Sequence, residues 1–411
     1  MKRIWWFGFL CLIPTQLGRH FWPEWSNVLG MRVDYLSPTL YLIDLVWIGV
    51  VINSFDNWKK IRPQKWWWWV VLIVGLNIFL AQNWQVASLR WLRWGQWGFT
   101  IFLIKENLEL VKKYLTQVVA GWILVESGLA LAQVMNGGSL QGIFYWLGER
   151  SFSLTTIGIA QVSVGGEAWL RAYGTFSHPN SLAGFLWLSL MIWERSFGKL
   201  KWIASEIWVL GRKIDLNKVV WWLVWWWGIV GIVLAGSRTV WVLLAVFWIY
   251  KGGKMWSGYK KRIGMILVML GFFVLVWSVM AINYQISDYL GGWDKASGGK
   301  RWDLMKISGL MIKDNWLVGV GAGNFLVKLP EYLQKNGIVW LQPVHNIGLL
   351  ALSELGILGV VMMVLLIIKN RLISLGNKKW WWLAILVTGM VDHYWLTLPQ
   401  NSWLLALIMI I

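Results

Sequence analysis

Long apolar runs dominate the chain, and they do not alternate. They fall near residues 4–17, 38–55, 66–82, 88–104, 114–135, 179–195, 219–235, 238–250, 263–282, 343–368, 380–397 and 401–411. Strict alternation would predict strands; unbroken apolar runs predict helices, and about 20 apolar residues cross a bilayer. Helices also satisfy their backbone groups internally, as the membrane interior demands. The pattern predicts an all-α integral membrane protein with about 12 transmembrane helices, one polytopic domain over residues 1–411. "MKRIWWFGFLCLIPTQLG" opens like a signal peptide but no small-x-small cleavage site follows, so it reads as an uncleaved first helix. The chain stops at "IMII" inside the last run, as a slightly truncated sequence would.

Composition agrees. Hydrophobic residues make up 58% and charged residues 14%, against about 25% charged in soluble domains. A net charge of +19 raises the question of nucleic acid, but its distribution answers it. With the N-terminus inside, the inner segments are 1–3, 56–65, 105–113, 194–218, 251–262 and 369–379. They carry 24 of the 38 Lys/Arg and only 6 of the 19 Asp/Glu. The charge is a topology signal that puts both termini in the cytoplasm; no nucleic-acid partner is needed. The one cysteine, Cys11, excludes an internal disulfide. Many of the 39 tryptophans, including "WWWW" (66–69) and "WWLVWWWG" (221–228), begin just after basic inner loops and read as interfacial anchors. Trp146, Trp169, Trp302 and Trp340 qualify for sugar stacking by position only.

Two long outer segments remain, 136–178 and 283–342. Long loops in compact chains are usually functional, so the chemistry is expected on the outer face. "GVGAGNF" (319–325) lacks the strand–turn–helix setting of a dinucleotide site, and "SGGKR" (297–301) lacks P-loop spacing; both read as turns. Between Trp302 and Ile312 the apolar spacing predicts a short amphipathic helix over the membrane, begun by Arg301.

Three helices that start on the outer face carry unusual residues. "TFSHPNSLAGFL" sets His178 and Asn180 around Pro179, "AGSRTVWVLL" sets Ser237 at a capping position with Arg238 after it, and "QPVHNIGLLAL" sets His345 and Asn346 behind Pro343. Helix N-termini present free N–H groups and positive dipole ends, a setting for anions. Three of them with an arginine and two histidines suit a diphosphate. Ser237 and Asn180 equally suit simple caps, Arg238 could snorkel to the interface, and Asn346 is a cap or an acceptor contact. From His345, positions Gly348, Leu352, Gly356 and Gly359 share one helical face, a small-residue stripe for packing on another helix that turns His345 inward. Glu354 lies on the opposite face without an assigned role. Asp392 and His393 either line the same cavity or cap the bundle.

The ordered stretches "LRAYGTFSHPNSLAGFL", "AGSRTVW", "RWDLMKISGLMIKDNWLVGVGAGNF" and "VHNIGLLALSELGILGV" resemble the O-antigen ligase and polymerase superfamily of bacterial envelope glycosyltransferases, over residues 165–370. The resemblance implies a GT-C-like membrane bundle beneath an outer loop, in the bacterial cytoplasmic (inner) membrane. It implies transfer of a glycan from undecaprenyl diphosphate to an acceptor hydroxyl, without metal or cofactor. By motif match Arg238 and Arg301 would bind the diphosphate and His345 would activate the acceptor hydroxyl. Arg171, His178 and Asn180 would line the donor site. The acceptor stays open among a lipid core sugar (ligase), a carrier-linked glycan (polymerase) and a protein side chain. A flippase for the same lipid is the competing class; it would need polar groups along a path to the inner face, where Asp44, Glu126 and Glu354 are the mid-run acids.

Overall fold

The computed structural model describes residues 1–56, 64–164, 167–195, 206–209, 212–255, 293–333, 341–370, 372 and 378–411. The apolar run at 263–282, Trp340 and residues 283–292 and 334–339 of the 283–342 segment lie outside them.

Among the described residues the helices are α1 (Lys2–Cys11), α2 (Leu42–Ile52), α3 (Trp67–Phe79), α4 (Trp84–Glu106), α5 (Leu108–Asn136), α6 (Pro179–Glu194), α7 (Leu216–Ala235) and α8 (Arg238–Met255). They continue with α9 (Trp293–Asp314), α10 (Phe325–Leu333), α11 (Ile347–Lys369), α12 (Lys379–Gly389), α13 (Tyr394–Thr397) and α14 (Pro399–Ile410). Short antiparallel pairs decorate the connections: 18–20 with 39–41, 27–28 with 31–32, 161–164 with 167–170, and 206–209 with 212–215. Three helices, α5, α7 and α11, are long and apolar enough to cross a membrane. Most other apolar runs form helices shorter than a full crossing, and the run at 380–397 breaks at residues 390–393.

Helix α6 is the axis of the core. It is apolar all round, and every residue from Ser181 to Trp193 is buried, as expected of a helix with no solvent or lipid face. Its own Trp187 and Trp193, and Trp6, Phe9 and Trp225 from other helices, are among the fully buried side chains of this core. In the tryptophan run, Trp221 and Trp225 face this core while Trp222 and Trp226 point outward, the division that four-residue spacing imposes. Outward leucines and valines such as Leu72, Leu223, Val242 and Leu365 form the apolar flank a lipid environment accepts.

The two ends of the bundle differ. One carries basic side chains at the ends of α6 and α8 and the start of α12: Lys251 pairs with Glu194 at 2.6 Å, Lys379 bonds the Tyr250 hydroxyl at 2.9 Å, and Arg195 and Lys378 lie over the Trp381 ring. At the other, Thr15 donates to Leu147 O, Ala172 N–H to Leu234 O and the Asn346 amide to Met390 O. Those bonds tie together the connections at that end, and the starts of α6, α8 and α11 meet there.

Helix α11 is broken. Gly356 has φ 60° and ψ −172° inside it, so the i to i−4 ladder is interrupted. The loop 316–323 fills the break: Ile357 N–H donates to Trp316 O (2.8 Å), Leu358 N–H to Leu317 O, Val320 N–H to Ser353 O and Gly321 N–H to Glu354 O. Asn77 of α3 donates to both Val318 O and Glu354 O and accepts from Ala322 N–H and the Trp91 indole. The expected glycine stripe for helix–helix packing is thus corrected. A Cβ on Gly356 would strike the backbone of Leu317 and Val318, while Gly348 and Gly359 face atoms of their own helix. "GVGAGNF" is a turn as expected, but one docked into a helix break. "SGGKR" is not a turn: it lies inside α9, so Arg301 stands within that helix and does not begin it. Packing overrides the glycines' low propensity. Leu304, Ile307 and Met311 are buried in a cluster with Phe325, Leu329 and Leu350, and Ser308 meets Ser353 at 2.8 Å. The apolar face of α9 therefore covers α10 and α11 rather than lipid.

Candidate functional site

The segment 171–178 crosses the site end of the bundle, and α5 fixes its course. Gln133 accepts from Tyr173 and Gly174 N–H, and Glu126 accepts from Thr175 N–H at 2.9 Å. Gly174 has φ +57°, and a Cβ there would collide with the Glu126 carboxylate, so glycine is required. Two acids that might have marked a polar path, Glu126 and Glu354, instead hold loops: Glu354 accepts from Gly323 N–H at 2.8 Å. The third, Asp44, sits in the first turn of α2, takes Tyr41 N–H and pairs with Arg93 at 2.6 Å.

Arg171 leaves this segment with two anchors. Its Nε donates to Ala235 O at the end of α7 (3.0 Å) and a terminal nitrogen donates to Asn180 Oδ1 (2.7 Å). Gly236, in the left-handed region, gives the guanidinium room. Asn180 passes the link on, its amide donating to Asp392 Oδ2 at 2.9 Å. Asn180 is therefore a bridge, and the cap of α6 is His178, whose Nδ1 accepts Asn180 N–H at 3.2 Å. Pro179 occupies the first turn, where its missing N–H costs nothing.

Asp392 enters through the break after α12. Its Oδ1 accepts His393 N–H at 2.8 Å. His393 bonds Thr397 through Nδ1 at 2.7 Å and stands edge-on to the His345 ring, centroids 5.3 Å apart. His345 turns inward as expected, toward His393 and Asp392. Its Nδ1 is buried and has no hydrogen-bond partner among the described residues. Asn346 is the cap of α11: its Oδ1 accepts Leu349 N–H at 2.9 Å.

Burial lowers the pKa of His345, with Asp392 opposing and Arg301 reinforcing the shift. Burial likewise holds His178 at about 4 and His393 at about 3. A neutral His178 fits its role as acceptor at Nδ1. Burial pushes the Asp392 carboxyl up, but His393, His178, His345 and the Asn180 amide outweigh it and hold it at about 2. Burial, with the like charges of Arg238 and Arg301, lowers Arg171 to about 10; Tyr173 and Asp392 oppose it. Arg238 and Arg301 are exposed, yet near enough that their fields reach the buried centre.

All seven expected site residues thus converge at one end of the bundle, His345, His178, Asn180 and Arg171 through the Asp392 hub, Asn346 as a cap, and Arg238 and Arg301 at the exposed rim. The sequence leaves the roles of Glu354, Asp392 and His393 open; the signal for Asp392 is a polar pair, Asp392–His393, interrupting the run at 380–397. Ligand atoms of His345, Asp392 and His393 lie within 4.8 Å of one another and could hold a metal ion.

Comparison with known proteins gives one finding about family. A family model described as O-antigen ligase matches residues 223–364, about a third of the chain, and supports the O-antigen ligase superfamily. The match contains Arg238, Arg301, His345 and Glu354; Arg171, His178, Asn180 and Asp392 lie outside it. No curated protein matches the chain.

Proposed function

We propose that this protein is a membrane glycosyltransferase that moves a glycan from undecaprenyl diphosphate to an acceptor hydroxyl on the outer face of the cytoplasmic membrane, without metal and with inversion. The observation that carries this reading is a buried His345 Nδ1, without a hydrogen-bond partner among the described residues, beside Asp392 and within the field of Arg301, while Arg238 and Arg301 act in turn on the buried Arg171.

His345 takes the acceptor hydroxyl proton as the oxygen attacks the anomeric carbon. The bond from that carbon to the diphosphate oxygen breaks, and the lipid diphosphate leaves with the bonding pair. Arg238 and Arg301, with the helix N-termini, stabilise the charge that grows there. Arg171 is already held by Ala235 O and Asn180, so it shapes the site and adds to its positive field. A base whose pKa lies below 6.5 is neutral at physiological pH and ready to accept. Direct displacement gives inversion.

The ligase, polymerase and protein-glycosylation readings share this chemistry and differ in acceptor. A flippase is disfavoured because Asp44, Glu126 and Glu354 are each committed to hydrogen bonds that hold a helix start or a loop.

The test uses purified protein, undecaprenyl-diphosphate glycan and candidate acceptors. His345→Ala should lower the rate by about 10²–10⁴-fold, the range of general-base catalysis, and Arg238→Ala by about 10²–10³-fold, with the protein still inserted. Full activity in both would overturn the mechanism. Because His345, Asp392 and His393 could chelate, EDTA treatment is decisive on metal: activity should survive it, and loss restored by a divalent cation would make the cluster a metal site.

A further inference from the structure

We propose that His345, Asp392 and His393 form an inhibitory zinc site, in which a bound Zn²⁺ takes the His345 lone pair and stops transfer. The consequence for catalysis rests on the transfer reading above; the site itself rests on the placement of the three side chains.

Each residue offers one ligand atom, and the three atoms lie within 4.8 Å of one another. Zn²⁺ stands about 2.0–2.2 Å from imidazole nitrogen and carboxylate oxygen, which sets its ligand atoms about 3.3 Å apart. One side chain has to close that difference, and the bonding shows which. Asp392 is held by the Asn180 amide at 2.9 Å and by His393 N–H at 2.8 Å. The His393 ring is held by Thr397 at 2.7 Å. His345 is half-buried, and its Nδ1 has no hydrogen-bond partner among the described residues. This ring therefore swings onto an ion that the other two position.

The surrounding bonds suit a metal. The Thr397 hydroxyl donates to His393 O at 3.1 Å, so its oxygen accepts from the ring. Nδ1 of His393 then carries the proton, and Nε2 keeps the lone pair that a metal takes. Each Asp392 oxygen retains a lone pair beside the bond it already accepts. Asn180 is bonded in turn by Arg171 at 2.7 Å, so the carboxylate has the outer partners that orient a metal ligand. Burial favours the neutral form of both imidazoles while Asp392 stays ionised, and an ion has no proton to displace. Two imidazoles and a carboxylate suit Zn²⁺, whereas Mg²⁺ and Ca²⁺ take oxygen ligands. The positive fields of Arg301 at His345 and Arg171 at Asp392 oppose a bare dication and favour an anion, chloride or hydroxide, as fourth ligand. A cavity of about 540 Å³ supplies the entry path. Its wall includes Thr397, which bonds His393, and Tyr35, whose ring lies 5.6 Å from that of His393. With the ion in place the His345 lone pair lies in the metal bond and cannot take the acceptor proton. The ion is an inhibitor and not a cofactor.

The experiment uses the full chain in lipid nanodiscs, stripped with EDTA and exchanged into chelator-free buffer. Zinc chloride is titrated against a chromophoric competitor, and Co²⁺ serves as the spectroscopic probe of the same site. Wild type should bind one Zn²⁺ per chain, melt at a higher temperature when it is bound and give visible Co²⁺ bands. His345→Ala and Asp392→Ala should each weaken binding at least tenfold and remove the zinc-dependent rise in melting temperature. Thr397→Val, which keeps all three ligands, should weaken it about tenfold through the outer partner alone. In the transfer assay Zn²⁺ should inhibit wild type over the concentrations at which it binds, Mg²⁺ should not, and EDTA should restore the rate. Absence of saturable binding would overturn the site, as would affinity unchanged in both His345→Ala and Asp392→Ala, the sign of an adventitious ion only. Transfer that continues with the site filled, or that depends on the ion, would overturn its inhibitory role. Absence of transfer by metal-free wild type, with zinc binding that depends on His345 and Asp392 intact, would sink the transfer reading and leave the zinc site standing.

Discussion

His345 and Asp392 show how one contact sets chemistry. Burial disfavours the imidazolium, and the nearby carboxylate opposes that shift without reversing it. With His345 as the proposed base, activity should therefore fall on acidification along a limb below 6.5, as the imidazole gains a proton. Asp392→Asn removes the opposing charge, so the limb should move to still lower pH. A pH profile of kcat/KM for both proteins checks this; an unmoved limb would separate Asp392 from His345. The same substitution leaves an amide facing the Asn180 amide, so it should also lower the maximal rate. Sequence inspection finds His345 easily, because a histidine behind a proline at a helix start is conspicuous. Asp392 is harder, since its partners Asn180 and His393 are joined to it only by the fold: Asn180 is 212 residues away.

At the scale of elements, α11 carries the site at its start and a break at Gly356. The loop 316–323 and Asn77 satisfy the backbone groups the break exposes, the condition for irregular backbone inside a membrane protein. Gly356→Val would place a branched side chain at φ 60° and against the Leu317 backbone. Strain at such a position costs on the order of 1–3 kcal/mol before the clash is counted. A lowered thermal midpoint in detergent, with reduced yield of monodisperse protein, is the expected result. Asn346→Ala, by contrast, loses a cap worth about 1 kcal/mol and should lower stability modestly. The helix pattern of the chain was legible because apolar period is local. The break was not: Gly348, Gly356 and Gly359 look alike in sequence, and only the loop packed on Gly356 distinguishes it. Likewise α9 runs through Gly298 and Gly299 because Leu304, Ile307 and Met311 are buried by distant residues, information absent from the local propensity.

At the scale of the whole molecule, the proposed topology sets the lysine-rich end and the site end on opposite faces of a membrane. With Cys11 replaced by serine, Tyr145→Cys should react with an impermeant thiol reagent in intact cells, and Lys379→Cys only after the membrane is opened. The reverse pattern would invert the topology. Acid stability belongs to this scale too, since the buried cluster joins four elements. His178 and His393 have folded values of about 4 and about 3, below the ordinary 6.5. The unfolded chain therefore binds their protons first, and stability falls as pH drops from about 6.5 through those values. Asp392, held at about 2, adds stability that is present above about 3.9 and lost as pH falls toward 2. Detergent-solubilised protein should show a falling melting temperature across that window, and His393→Phe should flatten its upper part.

The sequence by itself determined the helical membrane character and the residues at three helix starts, because hydrophobic period and capping chemistry are local. The tertiary structure alone decided that Asp392 joins His345 to Asn180 and Arg171, that Glu126 and Glu354 hold loops, and that residues 16–41 and 145–151 wall a cavity beside His178. Those pairings depend on which helix ends meet in space. Buried hydrogen bonds and close packing over long separations fix that meeting, and neither leaves a trace in local pattern.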